Sequence, residues 1–256
     1  MKQPLRTLVL AVCCGLAAAC TQRPERLKLM SYNIRNGIGI DIQDIGRIAR
    51  VILREAPDLV ALQELDSATL RVDGRYIPGE LGRMTGMHAT FGRAIGFAGG
   101  SYGIGLLSRT EPLAVRSIPL PGREEARVLL MAEFPDYTVC VTHLSLTPED
   151  RHASLPLILQ ATDTCRKPVL LAGDFNTGNA AAVLAGLGGG FRILSDTTRM
   201  TFPSDNPAVR IDYILGRGLP TSATVAESAV DHTATASDHC PLWVTLVWKR
   251  GKQPGK

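Results

Sequence analysis

The chain has 256 residues, 45% of them hydrophobic and 20% charged, with 28 basic against 24 acidic side chains. That balance excludes a disordered chain and supplies apolar material for one large core. A formal charge of +4 is too small for a protein that works mainly as a polycation on duplex nucleic acid. After residue 20, no apolar run approaches the roughly 18 residues that span a bilayer.

The first element in chain order is an address. Residues 1–19 join a basic head (Lys2, Arg6) to an apolar stretch from Leu8 to Ala19, and the polar Thr21-Gln22-Arg23-Pro24 follows Cys20. This is the grammar of a bacterial export signal. Ala17-Ala18-Ala19-Cys20 resembles the end of a lipoprotein signal, in which Cys20 is acylated and becomes the first residue; leucine is commoner than Ala17 at its position. Plain secretion and a retained buried helix are the alternatives. The expectation is a cell-envelope protein, lipid-anchored to the membrane and facing the periplasm or exterior, otherwise secreted. Residues 20–26 read as a linker, 27–248 as one domain and 249–256 as a polar tail. Losing Lys2 and Arg6 with the signal leaves 26 basic against 24 acidic side chains.

Strands are predicted at 27–34, 59–63, 89–93, 104–108, 127–134, 138–142, 169–172, 211–215 and 242–248, several as continuous apolar runs suited to burial on both faces. Helices are predicted at 42–56, where Ile45, Ile48, Ala49, Ile52 and Leu53 recur at helical spacing before Pro57, and at 148–165, broken near Pro156. A third covers 179–187, ended by Gly188-Gly189-Gly190. Segments 74–86, 97–102 and 199–207 are expected to be loops that shape specificity. The mixture indicates an α/β fold with two stacked mixed sheets and helices outside. Cys140, Cys165 and Cys240 lie in or beside apolar runs, and their number and spacing fit neither a zinc site nor a disulfide framework. They read as small buried hydrophobes, with a Cys140–Cys165 bridge left open.

The polar residues of interest collect at strand ends. Asn33, Glu64, His143, Asp174 and Asn176 follow predicted strands, Asp212 opens one, and Asp238 and His239 precede the last. If the last two strands run antiparallel to the other four, all converge on one rim, where catalytic groups commonly sit. Glu64, Asp174 and Asp238 are hard oxygen donors, suited to Mg2+ or Mn2+ rather than structural zinc. Three such carboxylates in one pocket repel unless a cation lies among them. His239 carries a proton that Asp212 could orient, and Asn33, Asn176 and His143 can donate to anionic oxygens. These are the parts needed for water to attack phosphorus.

Ser31-Tyr32-Asn33-Ile34, Leu62-Gln63-Glu64-Leu65, Thr142-His143-Leu144, Gly173-Asp174-Phe175-Asn176-Thr177, Arg210-Ile211-Asp212-Tyr213 and Ser237-Asp238-His239-Cys240-Pro241 together resemble the motifs of the endonuclease/exonuclease/phosphatase (DNase I-like) superfamily. The likeness covers about residues 27–248. It implies a four-layer α/β/β/α sandwich of two mixed β-sheets and a divalent-metal phosphoester hydrolase. Glu64 resembles the principal metal ligand with Asn33 beside it, and Asp238 a ligand or positioner on the metal side. Asp174 resembles the group that aligns or deprotonates water, and Asn176 and His143 resemble phosphate or transition-state contacts. His239 resembles the phosphate-binding, proton-transferring histidine, with Asp212 its partner. One metal or two is left open.

A narrower likeness, to a compact bacterial branch, runs through Asp66-Ser67-Ala68-Thr69-Leu70-Arg71, Tyr102-Gly103-Ile104-Gly105-Leu106-Leu107-Ser108-Arg109 and Glu125-Ala126-Arg127. Arg127 and Arg71 are candidate phosphate contacts, since a guanidinium fork matches phosphate oxygens; the alternative for Arg71 is an ion pair with Asp66 or Asp73. DNase I-like members place a carboxylate near the strand matching 102–108 to pair with the first histidine, and none is present here, leaving His143 without that charged partner. His88 and His152 read as bland, Trp243 and Trp248 as core, and His232 as a possible neighbour of the site. The expected function is a phosphodiesterase acting on a lipid headgroup or small phosphodiester, as a monomer. The alternatives are an extracytoplasmic nuclease, not favoured because no basic, aromatic-interleaved stretch appears, and a non-catalytic envelope lipoprotein that retains the fold.

Overall fold

Alternation in the first strand sets the architecture. In β1 (Glu25–Asn33), Leu27 and Leu29 point into one buried layer while Met30 and Tyr32 point into another, as a strand covered on both faces requires. The computed structural model describes residues 25–39 and 43–249; the expected export signal at 1–19, the expected acylation site Cys20 and residues 250–256 lie outside the described residues. Among the described residues, no helix is long and apolar enough to cross a membrane.

Further strands are β2 (Leu59–Ser67), β3 (His88–Phe97), β4 (Gly100–Ser108), β5 (Ala114–Leu120), β6 (Arg127–Glu133), β7 (Thr138–His143), β8 (Val169–Asp174), β9 (Arg192–Ile193), β10 (Asp212–Arg217), β11 (Thr224–Val230) and β12 (Leu242–Trp248). They form two six-stranded mixed sheets, ordered β11-β12-β1-β2-β4-β3 and β5-β6-β7-β8-β10-β9. Leu29, Ala61 and Leu106 of the first meet Leu130, Val141 and Leu170 of the second in the central layer. α1 (Ile45–Glu55) and α2 (Ile77–Thr85) cover the outer face of the first sheet, and α3 (Pro148–Asp163) and α4 (Ala180–Leu187) that of the second. This is the four-layer α/β/β/α sandwich that the family likeness implies.

The helices show where local sequence was sufficient. Asp44 caps α1 by accepting from Gly46 N, and Ile45, Ile48, Ala49 and Ile52 form its buried stripe. α3 runs unbroken through Pro156, against the expected break. Pro156 is on the exposed face, as is His152 four residues earlier, so the carbonyl that loses its partner faces water. Segment 74–86 is not simply a loop: it holds α2, opened by Pro78. Two glycines, Gly79 and Gly82, obscure it in the sequence. The strands absent from the sequence reading, β5, β9 and β11, are marginal members with largely exposed or very short runs. Cys140, Cys165 and Cys240 are free thiols.

The topology gathers the strand ends. β1 and β2 are parallel, as are β7 and β8, with Asn33 opposite Gln63 and His143 opposite Asp174. β10 runs antiparallel to β8, placing Asp212 opposite Asp174, and β12 runs antiparallel to β1. The predicted convergence on one rim follows.

Candidate active site

Asn33, fully buried at the end of β1, is the link between sheets. Its Nδ2 donates to Glu64 Oε1 at 3.0 Å and to Asp174 Oδ2 at 3.2 Å, and its Oδ1 accepts from Arg35 N at 3.1 Å. Glu64 sits where the β2–β4 register shifts between Leu62 and Leu65, with φ of 59°. A bulge of this kind re-aims a side chain. Asn176 takes φ of 50° after β8; its N donates to Asp174 Oδ1 at 2.8 Å and its Nδ2 to Leu144 O at 2.8 Å. Non-glycine left-handed residues thus occur at two predicted site positions, a placement associated with functional strain.

Asp174 is the centre. His143 Nε2 lies 3.6 Å and His239 Nε2 3.7 Å from its Oδ2. His239 Nδ1 is 2.9 Å from Asp212 Oδ2, and both side chains are buried. Ser237 Oγ donates to Asn33 O at 2.8 Å, tying the segment before β12 to the end of β1. The ring of Phe202 lies 4.8 Å from that of His239, centroid to centroid.

The electrostatics differ from group to group. Burial, then the facing Asp212 carboxylate, pushes Asp174 up to about 7. Burial is the largest single influence on His239 and would depress it, but the Asp212, Asp174 and Asp238 carboxylates together, Asp212 foremost, carry the imidazole up to about 10. His143 is held well below its ordinary value by burial, then by the positive charges of Arg127 and His239. The centre therefore presents one charged and one neutral imidazole against the same carboxylate oxygen.

The donor set fits a hard divalent cation. Asp174 and Asp212 bring carboxylate oxygens together beside His239, all within 4.8 Å of one another; Asp212 Oδ1 is buried without a hydrogen-bond partner, and His239, as an imidazolium, balances charge there rather than ligating. Glu64 joins them through Asn33. The expected ligands Glu64, Asn33 and Asp238 border this cluster: Asn33 bridges Glu64 and Asp174 with its nitrogen, and Asp238 stands at the mouth, its Oδ2 3.5 Å from Arg35 Nε.

The two predicted phosphate-binding arginines are engaged by carboxylates. Arg71 pairs with buried Asp66, one contact at 3.0 Å, and its guanidinium lies 4.6 Å from the Phe97 ring centroid and 5.3 Å from that of Tyr102. This is the ion pair weighed as its alternative, formed with Asp66. Arg127 Nη1 is 3.1 Å from Glu125 Oε1 and Nη2 is 3.3 Å from Glu124 Oε1. His143 has Asp174, from the neighbouring strand of its own sheet, as its carboxylate neighbour. His232 is exposed and pairs with Met200 O. Arg35 and Phe202 were not singled out by the sequence reading; adjacency to the Asn33 motif and membership of segment 199–207 were the available signals.

Residues 30–239 match the model of the endonuclease/exonuclease/phosphatase family. Similar solved structures include an endonuclease/exonuclease/phosphatase from Beutenbergia cavernae, 23% identical at a TM-score of 0.70, over 87% of this chain and 72% of that one. The mannosyl-6-phosphatase of Bacteroides thetaiotaomicron is 18% identical at a TM-score of 0.67, over 87% and 100%. TDP2 of D. rerio, complexed with a single-strand DNA product, is 23% identical at a TM-score of 0.65, over 86% and 98%. At these identities the structural likeness concerns the fold.

Proposed function

The chain belongs to the endonuclease/exonuclease/phosphatase family, and from that premise we propose that it is a Mg2+- or Mn2+-dependent phosphodiesterase acting outside the cytoplasm. The observation that carries this reading is the convergence of Asn33, His143, Asn176 and His239 on Asp174. Glu64 is the oxygen donor that would hold the ion, next to Asp174 and with Asp238 at the edge. A divalent ion in such a setting supplies Lewis-acid charge to a phosphoryl oxygen. Asp174, with its affinity for protons raised to near neutrality, orients the attacking water and accepts its proton. His239, charged and fixed by Asp212, donates from Nε2 to the phosphate and then to the leaving oxygen. Neutral His143 offers a hydrogen bond without adding charge.

Strand direction bears on where an anchor would attach. β1 runs from Glu25 to Asn33, so the site is about 27 Å from the strand's start, at roughly 3.3 Å per residue. The segment from Cys20 to Glu25 reaches at most about 18 Å. An acyl anchor on Cys20 would thus attach at the end of β1 opposite the site. Both a lipid headgroup and a small soluble phosphodiester remain within this reading.

The test is a panel of mono- and diesters, including lipids, cyclic nucleotides and plasmid DNA, assayed with Mg2+ and Mn2+. Small diesters are expected to turn over, and Glu64→Ala and His239→Ala to lose at least about 100-fold. Unchanged turnover in both variants would overturn the site. Activity confined to DNA would replace the phosphodiester reading with a nuclease.

A further inference from the structure

We propose that Arg35 is the guanidinium that receives the substrate phosphate, giving up Asp238 to do so; the inference rests on the phosphoester reading of this site. Arg35 is fixed to the centre through its backbone, because its N–H donates to the Asn33 Oδ1 whose amide nitrogen bridges Glu64 and Asp174. The chain then reverses sharply. Arg35, Asn36 and Gly37 have φ of 44°, 53° and 71° in succession, a run of left-handed residues that ordinary loops avoid. Gly37 must be glycine there, since a Cβ would stand 2.7 Å from Ile45 Cγ2. The reversal leaves the Arg35 side chain about half exposed over the mouth.

Its partner is the weakest at the rim. Arg35 Nε lies 3.5 Å from Asp238 Oδ2, and the two side chains are 47% and 29% exposed. Water and salt screen such a pair. The alternatives are committed elsewhere: Arg71 to buried Asp66 between two aromatic rings, Arg127 to two glutamates with 6% of its side chain exposed, and Arg123 to Asp150. Arg210 has no carboxylate partner and leaves Nε and Nη1 without hydrogen bonds, but it is buried, its guanidinium stacked 4.7 Å from the Tyr213 ring centroid, so burial rather than pairing holds it back from the mouth. Arg35 can therefore turn to a phosphate at least cost, and its planar fork matches two non-bridging oxygens. The same exchange frees the Asp238 carboxylate on the metal side.

The experiment compares the full-length protein with Arg35→Ala, Arg35→Lys and Asp238→Ala. Inorganic phosphate binding is measured by calorimetry with Mn2+ present, Mn2+ binding separately, and steady-state hydrolysis of bis(p-nitrophenyl) phosphate alongside. Arg35→Ala should weaken phosphate binding and raise KM by about 10- to 100-fold, with kcat changed less and Mn2+ affinity retained. Arg35→Lys should recover part of the loss as a point charge. Equal phosphate affinity in wild type and Arg35→Ala overturns the proposal. So does an Arg35→Ala variant that weakens Mn2+ binding as much as Asp238→Ala, because Arg35 would then serve only to place Asp238. Phosphate binding through Arg35 in a wild type that hydrolyses no ester would sustain the contact and sink the phosphodiesterase reading. Hydrolysis with phosphate affinity indifferent to Arg35 would do the reverse.

Discussion

Asp212 Oδ2 and His239 Nδ1 stand 2.9 Å apart, in a setting where both side chains are buried and the second carboxylate oxygen, Oδ1, has no partner. The pair fixes which nitrogen of His239 faces Asp174. Asp212→Asn keeps the shape but removes the charge that holds the imidazolium, so kcat should fall by about 100- to 1,000-fold. The alkaline limb of the pH profile should also move down. A folded-state pKa raised from 6.5 to about 10 contributes stability that is complete below 6.5 and lost as pH rises through 10. The variant's deficit in denaturant midpoint should therefore be largest in acid and vanish in strong alkali. A deficit independent of pH would show that the ion pair is not the source.

His143 and His239 approach the same oxygen of Asp174, at 3.6 and 3.7 Å, yet should carry opposite charge states. Nitrogen-detected imidazole spectra between pH 6 and 8, about the ordinary histidine range, should show His239 doubly protonated and His143 neutral. His143's contribution has the opposite sign: its folded pKa is depressed, so it supports the fold above 6.5 and this is lost as pH falls. Two histidines titrating together would contradict the electrostatic assignment.

The sheets and the rim were legible because burial on both faces writes long apolar runs, and because polar residues interrupt those runs at their ends. β5 escaped notice because most of its side chains are exposed, which erases the alternation a half-buried strand would show. Glu64 was found by residue type, but the bulge that aims it was not, since a left-handed glutamate has no local signature. For Arg71, the sequence offered Asp66 and Asp73 equally. Complete burial of Asp66 decides it, for an unpaired carboxylate there would be costly. Arg35 becomes conspicuous only once Arg71, Arg123 and Arg127 are seen to be paired with carboxylates and Arg210 to be buried.

Asp174 predicts how metal and pH interact. Its folded pKa is raised from 3.8 to about 7, so the folded state binds the extra proton across that interval and loses stability as pH rises through it. A divalent ion supplies the charge that relieves this cost. Mn2+ or Mg2+ should raise the thermal midpoint more at about pH 7.5 than at pH 5, because metal binding competes with protons for the carboxylates. The acid limb of activity should shift downward as the ion concentration increases. A metal-induced shift of equal size at both pH values would place the ion away from Asp174.

Gly103 predicts where the scaffold, rather than the chemistry, fails. A Cβ at this position would stand 2.1 Å from Gly92 O and 2.9 Å from Ala94 N, both backbone atoms of β3, so no side chain can rotate away. The neighbouring register shift between Arg93 and Ile95 already bends this hairpin, and Gly103 shares a small crevice with Tyr102, Arg127 and His143. Gly103→Ala must therefore separate two hydrogen-bonded strands, at a cost of about 2–4 kcal/mol. At roughly 2–4 °C per kcal/mol for a domain of this size, the thermal midpoint should fall by about 5–15 °C. Well below that midpoint, kcat should fall less than in Glu64→Ala, because Asp174, Asp212 and His239 hang from β8, β10 and the segment before β12, and Gly103 reaches the site only through Leu65, its partner in β2 and the neighbour of Glu64. An unchanged midpoint would show that β3 can yield at Gly92, and a collapse of kcat without loss of stability would move Gly103 from the scaffold to the site.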